Sequence, residues 1–493
     1  MTIRVRTIAS ALLVPAFGTV AGCALAPSPS SEEVRAQAIP NVTLPARWAA
    51  TGGTQGEVHA NWLATFHEPQ LDSLVREALA YNGDLRVAAA RVEQAAAYAK
   101  LANSTIYPVV NLLAHGGGKS GGDASGLNIF GLFASWELDV WGRARAQKAA
   151  GEAQYASASL DAEYARQSIA AMVAKSWILA IEARAQRAIA DDVVRASEQS
   201  VGLSGDRLRV GRGDEYDVAL ARANLDTSRD VARQLALAYE QAQRALELLI
   251  GRYPAAALDV PATLPPMPGP VPVGLPSELL ERRPDVIAAA RRIDTAFYNV
   301  LEARAARLPK IALTASVNSV SSELFLLQNH SNPVASLGAN LVAPLFNGHA
   351  LESQVDVRTA EQRLAIADYG RVATRAFADV ETALSSEFTA TERQAILASS
   401  VTNNGRTVEL AQVRYRVGSG DLRAVLTQNV ALYGARTALL RAQSEALVQR
   451  VNLYLALGGS FDEPPMQSSG EDAREVRSAA ASPSDSRAGY PTH

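Results

Sequence analysis

Four segments of the chain alternate apolar residues with small or polar ones, which is the period-two pattern of a β-strand with one apolar face. In the last two segments, isoleucine, leucine, valine and alanine recur at every second position. This alternation is typical of transmembrane β-strands, although a half-buried strand of a soluble sandwich has the same period. The predicted strands are Tyr107–Ala114, Leu127–Trp136, Lys310–Ser319 and Ser336–Phe346.

Long alanine-rich segments between the strands predict helices. Arg143–Ser204 contains no proline and would reach about 90 Å at roughly 1.5 Å per residue, and Ala350–Thr402 is its counterpart later in the chain. Shorter helices are predicted at Leu71–Ser104, Glu215–Ile250, Ser277–Arg307 and Leu422–Leu457. The predicted break after the first long helix is marked by Gly202, Gly205, Gly211 and Gly213.

The sequence is internally duplicated. Landmarks of the first half recur in the second half in the same order, so each half has the order helix, strand, strand, very long helix, glycine break, helix. A period of this size indicates a duplicated domain half and not a short solenoid repeat. The paired landmarks are Asn82–Asp84 with Arg283–Asp285, Tyr107–Pro108 with Leu308–Pro309, Trp141–Arg143 with Asn347–His349, and Val210–Asp214 with Val417–Asp421.

Composition divides the rest of the chain. A proline-rich segment separates the two repeats, and the C-terminal segment is rich in serine, proline, alanine, glycine and charge, which predicts disorder. The predicted organisation is a signal peptide (1–22), a lipidated extended N-terminal arm (23–60), a first repeat (61–253), a proline-rich linker (254–276), a second repeat (277–462) and a disordered tail (463–493).

The overall composition favours long, thin helical packing. Hydrophobic residues make up 48% of the chain but aromatic residues only 6%, because alanine supplies much of the apolar count. Alanine favours helix but fills a thick core poorly. The formal charge of −3, from 47 basic and 50 acidic side chains without blocks of like charge, gives no basis for binding nucleic acid or an anionic membrane surface.

The N-terminal sequence has the features of a secretory signal followed by a lipidation site. Basic residues precede the apolar stretch Ile8–Val20, and Cys23, the only cysteine of the sequence, follows it. The run Val20–Cys23 resembles a bacterial lipoprotein box, which implies acylation of the Cys23 thiol, and Ala24 at the next position implies the outer membrane. Ordinary signal cleavage beside an incidental cysteine is the alternative. Beyond the signal, no apolar run approaches the ~20 residues of a membrane helix.

The sequence contains no recognisable catalytic set. Its six histidines lack metal-ligand spacing. Gly116–Ser120 looks like a phosphate-binding loop, but it lacks the required glycine spacing and the strand-to-helix context, so a loop tip is the better interpretation. No combination of nucleophile, base and orienting residue is present. We therefore predict no enzymatic activity, no bound metal and no cofactor.

Four strands cannot form a closed barrel by themselves. Lipid tolerates no open sheet edge, and the smallest barrels have about eight strands. The barrel must therefore be shared between chains, with eight strands from a dimer or twelve from a trimer. The competing hypothesis is a structural coiled-coil lipoprotein that bridges envelope layers without a pore, but such a protein would have no use for lipid-facing strands.

Several motifs resemble those of the TolC-like outer-membrane efflux channels, in the lipoprotein (NodT-type) subgroup of outer-membrane factors for RND pumps. The resemblance covers residues 71–459. It depends on the order of the motifs together with the duplication, because each motif alone is weak. The motifs are Trp136–Arg143, Glu281–Asp285, Arg414–Gly418 and Val451–Gly459.

This resemblance implies a homotrimer in the outer membrane of a Gram-negative bacterium. The fold would be mainly α, with a shared twelve-stranded β-barrel continuous with a long helical barrel in the periplasm. Such proteins work with a periplasmic adaptor (membrane fusion) protein and an RND-type inner-membrane pump, which implies a passive conduit for small molecules or drugs. Export of protein or polysaccharide through the same fold stays an alternative.

The resemblance also gives the two glycine turns a role. They would lie at the periplasmic tip, where the channel closes and the adaptor docks. The expected docking residues are Val210, Gly211, Arg212 and Gly213 in the first turn, and Val417, Gly418, Ser419 and Gly420 in the second.

The gate candidates lie just after these turns. In the family's second repeat an aspartate commonly follows a Val-Leu pair and helps to form an acidic constriction. Thr427 occupies that position here, so that acid is absent. Asp217 keeps the matching context in the first repeat, and Asp214 and Asp421 lie nearby. A competing interpretation is that these acids only complement the helix macrodipole, because acids in the first turn of any helix do so.

Overall fold

The computed structural model describes residues 25–461, except positions 52, 55, 57 and 59 and residues 116–127 and 322–332. The predicted signal peptide (1–22), Cys23, Gly116–Ser120 and the predicted tail (463–493) lie outside the described residues.

The two halves of the chain have the same order of elements, with one additional helix before them, α1 (Ser31–Ala38). The first half comprises α2 (Pro69–Tyr81), α3 (Gly83–Ser104), β1 (Val109–His115), β2 (Asn128–Leu138), α4 (Arg143–Arg209) and α5 (Glu215–Leu249). The second half comprises α6 (Leu279–Arg282), α7 (Pro284–Ala305), β3 (Lys310–Ser321), β4 (Pro333–Val342), α8 (Ala350–Val417) and α9 (Leu422–Ala456). Short 3₁₀ turns lie at Trp62–Phe66 and Pro276–Glu278.

The strands form one antiparallel sheet in the order β1-β2-β3-β4. Its register places apolar positions opposite one another, since Leu112 pairs with Leu132, Leu132 with Val317, and Val317 with Ala335. One face of the sheet, called here the apolar face, therefore collects the alternating apolar residues of all four strands. Strands β1 and β4 each have one edge unpaired within the chain.

The predicted strands exist, but their ends differ from the prediction. The fourth was predicted to reach Phe346 and ends at Val342, which pairs with Lys310, the first residue of β3. Pro309 and Pro344 lie just beyond this pair, and neither has an N–H to continue the ladder. The first strand likewise begins after Pro108, at Val109.

The long helices extend further than predicted. Helix α4 has 67 residues and α8 has 68, so each is about 100 Å long. Gly202 and Gly205, predicted to belong to the break, lie inside α4. A helical glycine costs only about 1 kcal/mol relative to alanine, which is too little to end a packed helix of this length. The predicted helix Leu71–Ser104 is divided in two, because Asn82 is extended there and caps α3.

The hydrophobic core lies where both halves meet, midway along the long helices. Trp177 of α4, Ile293 of α7, Leu384 of α8 and Val451 of α9 are buried in one cluster. Each half closes on this core in the same way. The Asn82 amide donates to the carbonyl oxygen of the last residue of α5 (2.8 Å), and the Arg283 guanidinium donates to that of the last residue of α9 (3.3 Å). These equivalent contacts confirm the duplication.

The N-terminal arm was predicted to be extended, but part of it is helical, because it contains α1. Ser30 and Glu33 form a capping box that starts this helix. Beyond α1, the backbone N–H groups of Ala49 and Ala50 donate to the Glu381 carboxylate of α8 (2.9 and 2.8 Å). The arm is therefore bound along the side of the second long helix.

Candidate functional site at the helical tips

Each long helix reverses direction through a glycine turn of the same geometry. Gly211 and Gly418 have φ angles of 70° and 87°, a left-handed conformation that glycine adopts without steric cost. The N–H groups of the residues that follow, Arg212 and Ser419, donate to the carbonyl oxygens of Arg207 and Arg414 at 2.8 and 2.9 Å. These bonds across the last helical turn, with glycine at the reversal, are typical of a Schellman ending. The two turns are pseudo-equivalent in structure as well as in sequence.

Two of the predicted gate acids cap the returning helices. The Asp214 carboxylate accepts the backbone N–H of Asp217 at 2.8 Å, and the Asp421 carboxylate accepts that of Ala424 at 2.7 Å. Both are N-cap residues, and a side chain in this position satisfies a free N–H of the first helical turn. Capping therefore accounts for both acids within the chain.

The third acid, Asp217, connects the two repeats. Its Oδ2 accepts a hydrogen bond from the hydroxyl of Tyr415 on α8, at 3.1 Å. Burial, and after it the negative charge of Asp217, raises the pKa of Tyr415 to about 12, so the hydroxyl keeps its proton and can donate. The Arg207 guanidinium lies over the Tyr415 ring, 4.5 Å from its centroid, and also donates to the Tyr415 carbonyl oxygen. We refer to Arg207, Asp217 and Tyr415 as the tip cluster.

The remaining candidates lie outside the tip cluster. Thr427 is exposed on α9. Arg423 donates to the hydroxyl of Tyr216 at 2.7 Å, which is a second contact between the repeats. Beneath both contacts, Leu422 and Val425 are buried against Tyr415. The tips of the two helical hairpins are therefore joined by polar contacts over a small apolar core.

Sequence reasoning overlooked Tyr415 and Arg207 as candidate residues. Tyr415 belongs to a quoted motif, but its partner lies 198 positions away in the other repeat. No periodicity of the sequence predicts that contact. A signal is present in retrospect, because an arginine precedes each glycine turn by four positions, at Arg207 and Arg414.

At the other end of the long helices, the sheet exposes apolar side chains that a water-soluble protein would bury. Leu337, in the middle of β4, is 91% exposed, and Leu341 is 69% exposed. Trp136, Trp141 and Phe346 are exposed where the strands join the helices, a position in which membrane barrels carry aromatic residues.

Among the described residues, no helix has the length and apolar character needed to span a membrane. Nor does this part of the chain bring together three or more His, Cys, Asp or Glu side chains in a group that could hold a metal ion.

The model of one protein family, described as outer membrane efflux protein, matches residues 74–252 and 275–459. The two matched ranges correspond to the two repeats. The chain belongs to this family.

Relatives of this efflux protein agree with the assignment. The pyoverdine export outer membrane protein OpmQ of Pseudomonas aeruginosa is 32% identical over 439 residues, which cover 84% of this chain and 90% of that protein. The cation efflux system protein CusC of Escherichia coli O6:H1 is 29% identical over 451 residues, covering 90% and 96%. Among solved structures, the outer-membrane channel OprN has a TM-score of 0.77 at 26% identity, covering 86% of this chain and 99% of that one.

These similarities confirm the predicted fold class, location and general function. The protein is an internally duplicated, mainly helical efflux channel of the Gram-negative outer membrane, and each chain has one four-stranded sheet. The competing hypothesis of a lipoprotein without a pore is thereby set aside. The family is one of transport channels; the finer statement that this chain has no enzymatic activity stays a prediction.

Proposed function

We propose that three chains share one barrel, and that this trimer is a passive conduit. It receives small molecules from an RND-type inner-membrane pump, through a periplasmic adaptor protein, and releases them outside the cell. The observation that carries this proposal is the sheet, whose apolar face is exposed and whose two edges are open, joined directly to helices of 67 and 68 residues. A shared barrel in the outer membrane and a long helical tube in the periplasm would form one continuous path.

The names of the relatives favour a small-molecule cargo. They describe pyoverdine export, cation efflux and toluene efflux. All three are small solutes, which favours them over protein or polysaccharide. The class of cargo depends on the pump that supplies the channel. The test is therefore to crosslink the protein in its native cells and to identify the inner-membrane protein recovered with it. Recovery of a protein-secretion ATPase in place of an RND-type pump would contradict this cargo class.

We further propose that Val210–Gly213 and Val417–Gly420 dock the adaptor. Both turns are the outermost points of their hairpins, and Val210 and Val417 are 68% and 73% exposed. An exposed valine at the outermost point of each hairpin is available to contact a partner protein.

Gly418→Trp is expected to reduce crosslinking to the adaptor and efflux, and to leave the trimer intact. The φ of 87° disfavours any L side chain, and the indole would project from the turn into the docking region. Gly202→Trp is the matched control, since Gly202 is an exposed helical glycine with open space around its Cβ position. Equal adaptor crosslinking by wild type and Gly418→Trp would exclude this docking site.

The tip cluster is proposed to hold the gate closed. In a trimer, three copies of Asp217 would surround the axis, and like charges a few ångströms apart repel by roughly a few kcal/mol at an effective dielectric near 20. The Tyr415 hydroxyl would hold each carboxylate in the closed arrangement, and the Arg207 guanidinium would hold Tyr415 in place.

Asp217→Ala is expected to raise the single-channel conductance in a planar bilayer and to lower the preference for cations. Tyr415→Phe removes the same hydrogen bond but keeps the acid, so it should raise conductance without lowering cation preference. Comparison of the two variants therefore distinguishes the effect of the hydrogen bond on channel closure from the effect of the carboxylate charge on ion selectivity. If Asp217→Ala and Asp421→Ala both behave like wild type, neither acid lines the constriction, and the end-of-helix interpretation is sufficient.

We propose that Cys23 is acylated, and that this anchor is secondary to the strands. The barrel face alone removes a large apolar area from water, so insertion does not depend on one lipid group. Cys23→Ser, exported with an ordinary signal peptide, should still fractionate with the outer membrane and migrate there as a trimer. A soluble monomeric Cys23→Ser protein would contradict the proposed role of the strands.

A further inference from the structure

The two pseudo-equivalent hairpin tips differ in charge. Residues 206–217 of the first tip contain three arginines and four acids, whereas residues 413–424 of the second contain three arginines and a single acid. Three of the four acids of the first tip are replaced by apolar residues in the second, and Tyr216 is replaced by an arginine. The six pairs that differ are Asp206 with Val413, Leu208 with Tyr415, Arg212 with Ser419, Glu215 with Leu422, Tyr216 with Arg423, and Asp217 with Ala424.

The structure shows how this difference affects the arginines. In the first tip, Arg209 forms an ion pair with Asp206 at 2.9 Å, and Arg207 is covered by the Tyr415 ring. At the second tip, the position equivalent to Asp206 is Val413. The guanidinium groups of Arg414 and Arg416 accordingly have no carboxylate or carbonyl partner among the described residues, and both side chains are exposed.

The helix macrodipole does not account for this difference. Cations near a helix C-terminus are favourable, but α4 has the same arginines at its end and nevertheless pairs Arg209. The one acid of the second tip, Asp421, is already used as an N-cap. The second tip therefore presents uncompensated positive charge next to the exposed valines Val413 (47%) and Val417 (73%). We call Val413, Arg414, Arg416 and Val417 the basic tip.

We propose that the basic tip docks acidic side chains of the adaptor, whereas the first tip, with three arginines and four acids, makes a contact that does not require them. This inference rests on the proposed docking function and specifies its chemistry. Covering an exposed cation with a neutral or basic surface costs desolvation or repulsion, whereas an opposite charge compensates it and steers the encounter. Around a threefold axis the two kinds of tip would alternate, so the adaptor would meet two different surfaces in turn.

The first stage of the test identifies the contact. A photo-reactive residue is placed at Val417, and separately at Val210, in cells that express the complete efflux system. The crosslinked partner peptides are then sequenced. The expected result is an adaptor at both positions, with aspartate or glutamate beside the crosslink from Val417. If neither position captures an adaptor, or if both capture the inner-membrane pump, the docking function and this inference both fail.

The second stage tests charge with the adaptor so identified. Arg416→Glu should weaken its binding to the full-length trimer by at least about tenfold, because it places like charges opposite each other. Arg209→Glu, the pseudo-equivalent control, should have a much smaller effect. Exchange of the crosslinked adaptor acid for arginine should restore binding to the Arg416→Glu trimer and weaken binding to wild type.

The results distinguish failure of the acidic contact from failure of adaptor docking as such. If adaptors are captured at both tips but Arg416→Glu binds as tightly as Arg209→Glu, docking stands and the acidic contact is wrong. If Arg416→Glu leaves adaptor binding unchanged and alters the conductance of the isolated trimer, the arginine acts between neighbouring hairpins of the channel, and the inference is overturned.

Discussion

Leu337→Arg is expected to abolish assembly of the protein in the outer membrane. Leu337 lies in the middle of β4 on the apolar face, opposite Ala315 of β3, and is 91% exposed. An arginine on the lipid side of a membrane barrel costs about 2–4 kcal/mol at the bilayer midplane. The trimer would contain three such arginines, and their combined cost is comparable to the whole stability of an ordinary domain.

The matched control is Asn340→Arg, three residues along the same strand. Asn340 pairs with Ala312 on the opposite face of the sheet, which would face the water-filled interior. This variant should assemble at close to the wild-type level. The measurement is the fraction of protein that migrates as trimer after extraction of outer membranes, compared between the two variants. Equal assembly of both would mean that the apolar face does not contact lipid.

Arg283→Met is expected to cause the second-largest loss, in the stability of the helical part. Arg283 is 3% exposed and donates to the carboxylates of Asp285 (2.7 Å) and Asp379 (3.1 Å), and to the Ala456 carbonyl. Although burial opposes its charge, the bonds to Asp285 and Asp379 hold the pKa of Arg283 above its usual value. Removal of one partner of a buried ion pair typically costs about 3–5 kcal/mol. The lower end applies here, because Asp379 is 40% exposed and solvent screens it.

The neighbouring residue provides the control. Arg282 forms a surface ion pair with Glu278 at 3.1 Å, and pairs of this kind contribute at most about 1 kcal/mol. Arg282→Met should therefore change the apparent melting temperature of the purified protein in detergent far less than Arg283→Met. If the two variants lowered the melting temperature by similar amounts, the packing of α7 against α8 and α9 would not depend on the buried Arg283 charge.

The fold followed from the sequence where local patterns specify it. Alternation identified all four strands, because a period of two gives one face a uniform chemistry, and the proline-free segments identified the long helices. The errors arose where contacts with other segments override the local pattern, and the sequence of one segment does not show those contacts. The strand predicted to end at Phe346 stops where its partner begins, at Lys310, and Gly202 and Gly205 remain helical because neighbouring helices stabilise α4 more than two glycines weaken it.

The site was less accessible to sequence reasoning than the fold. Asp214 and Asp421 follow a capping rule that sequence reveals, and both were also considered as first-turn acids. The bond between Asp217 and Tyr415 joins residues of different repeats, so it depends on how the two hairpins pack. The charge difference between the tips can be read from the sequence. That Arg416 has no ion-pair partner among the described residues is seen only in the structure, where Arg209 pairs with Asp206 and Val413 occupies the equivalent position.

The central claim is that the strands of one chain form a barrel only together with those of two others. Native mass spectrometry of the protein released from detergent micelles tests it most directly. The sheet has two open edges, β1 and β4, which neighbouring chains must cover in lipid. We expect a single species with the mass of three chains. A stable monomer or dimer as the only species would contradict the shared barrel.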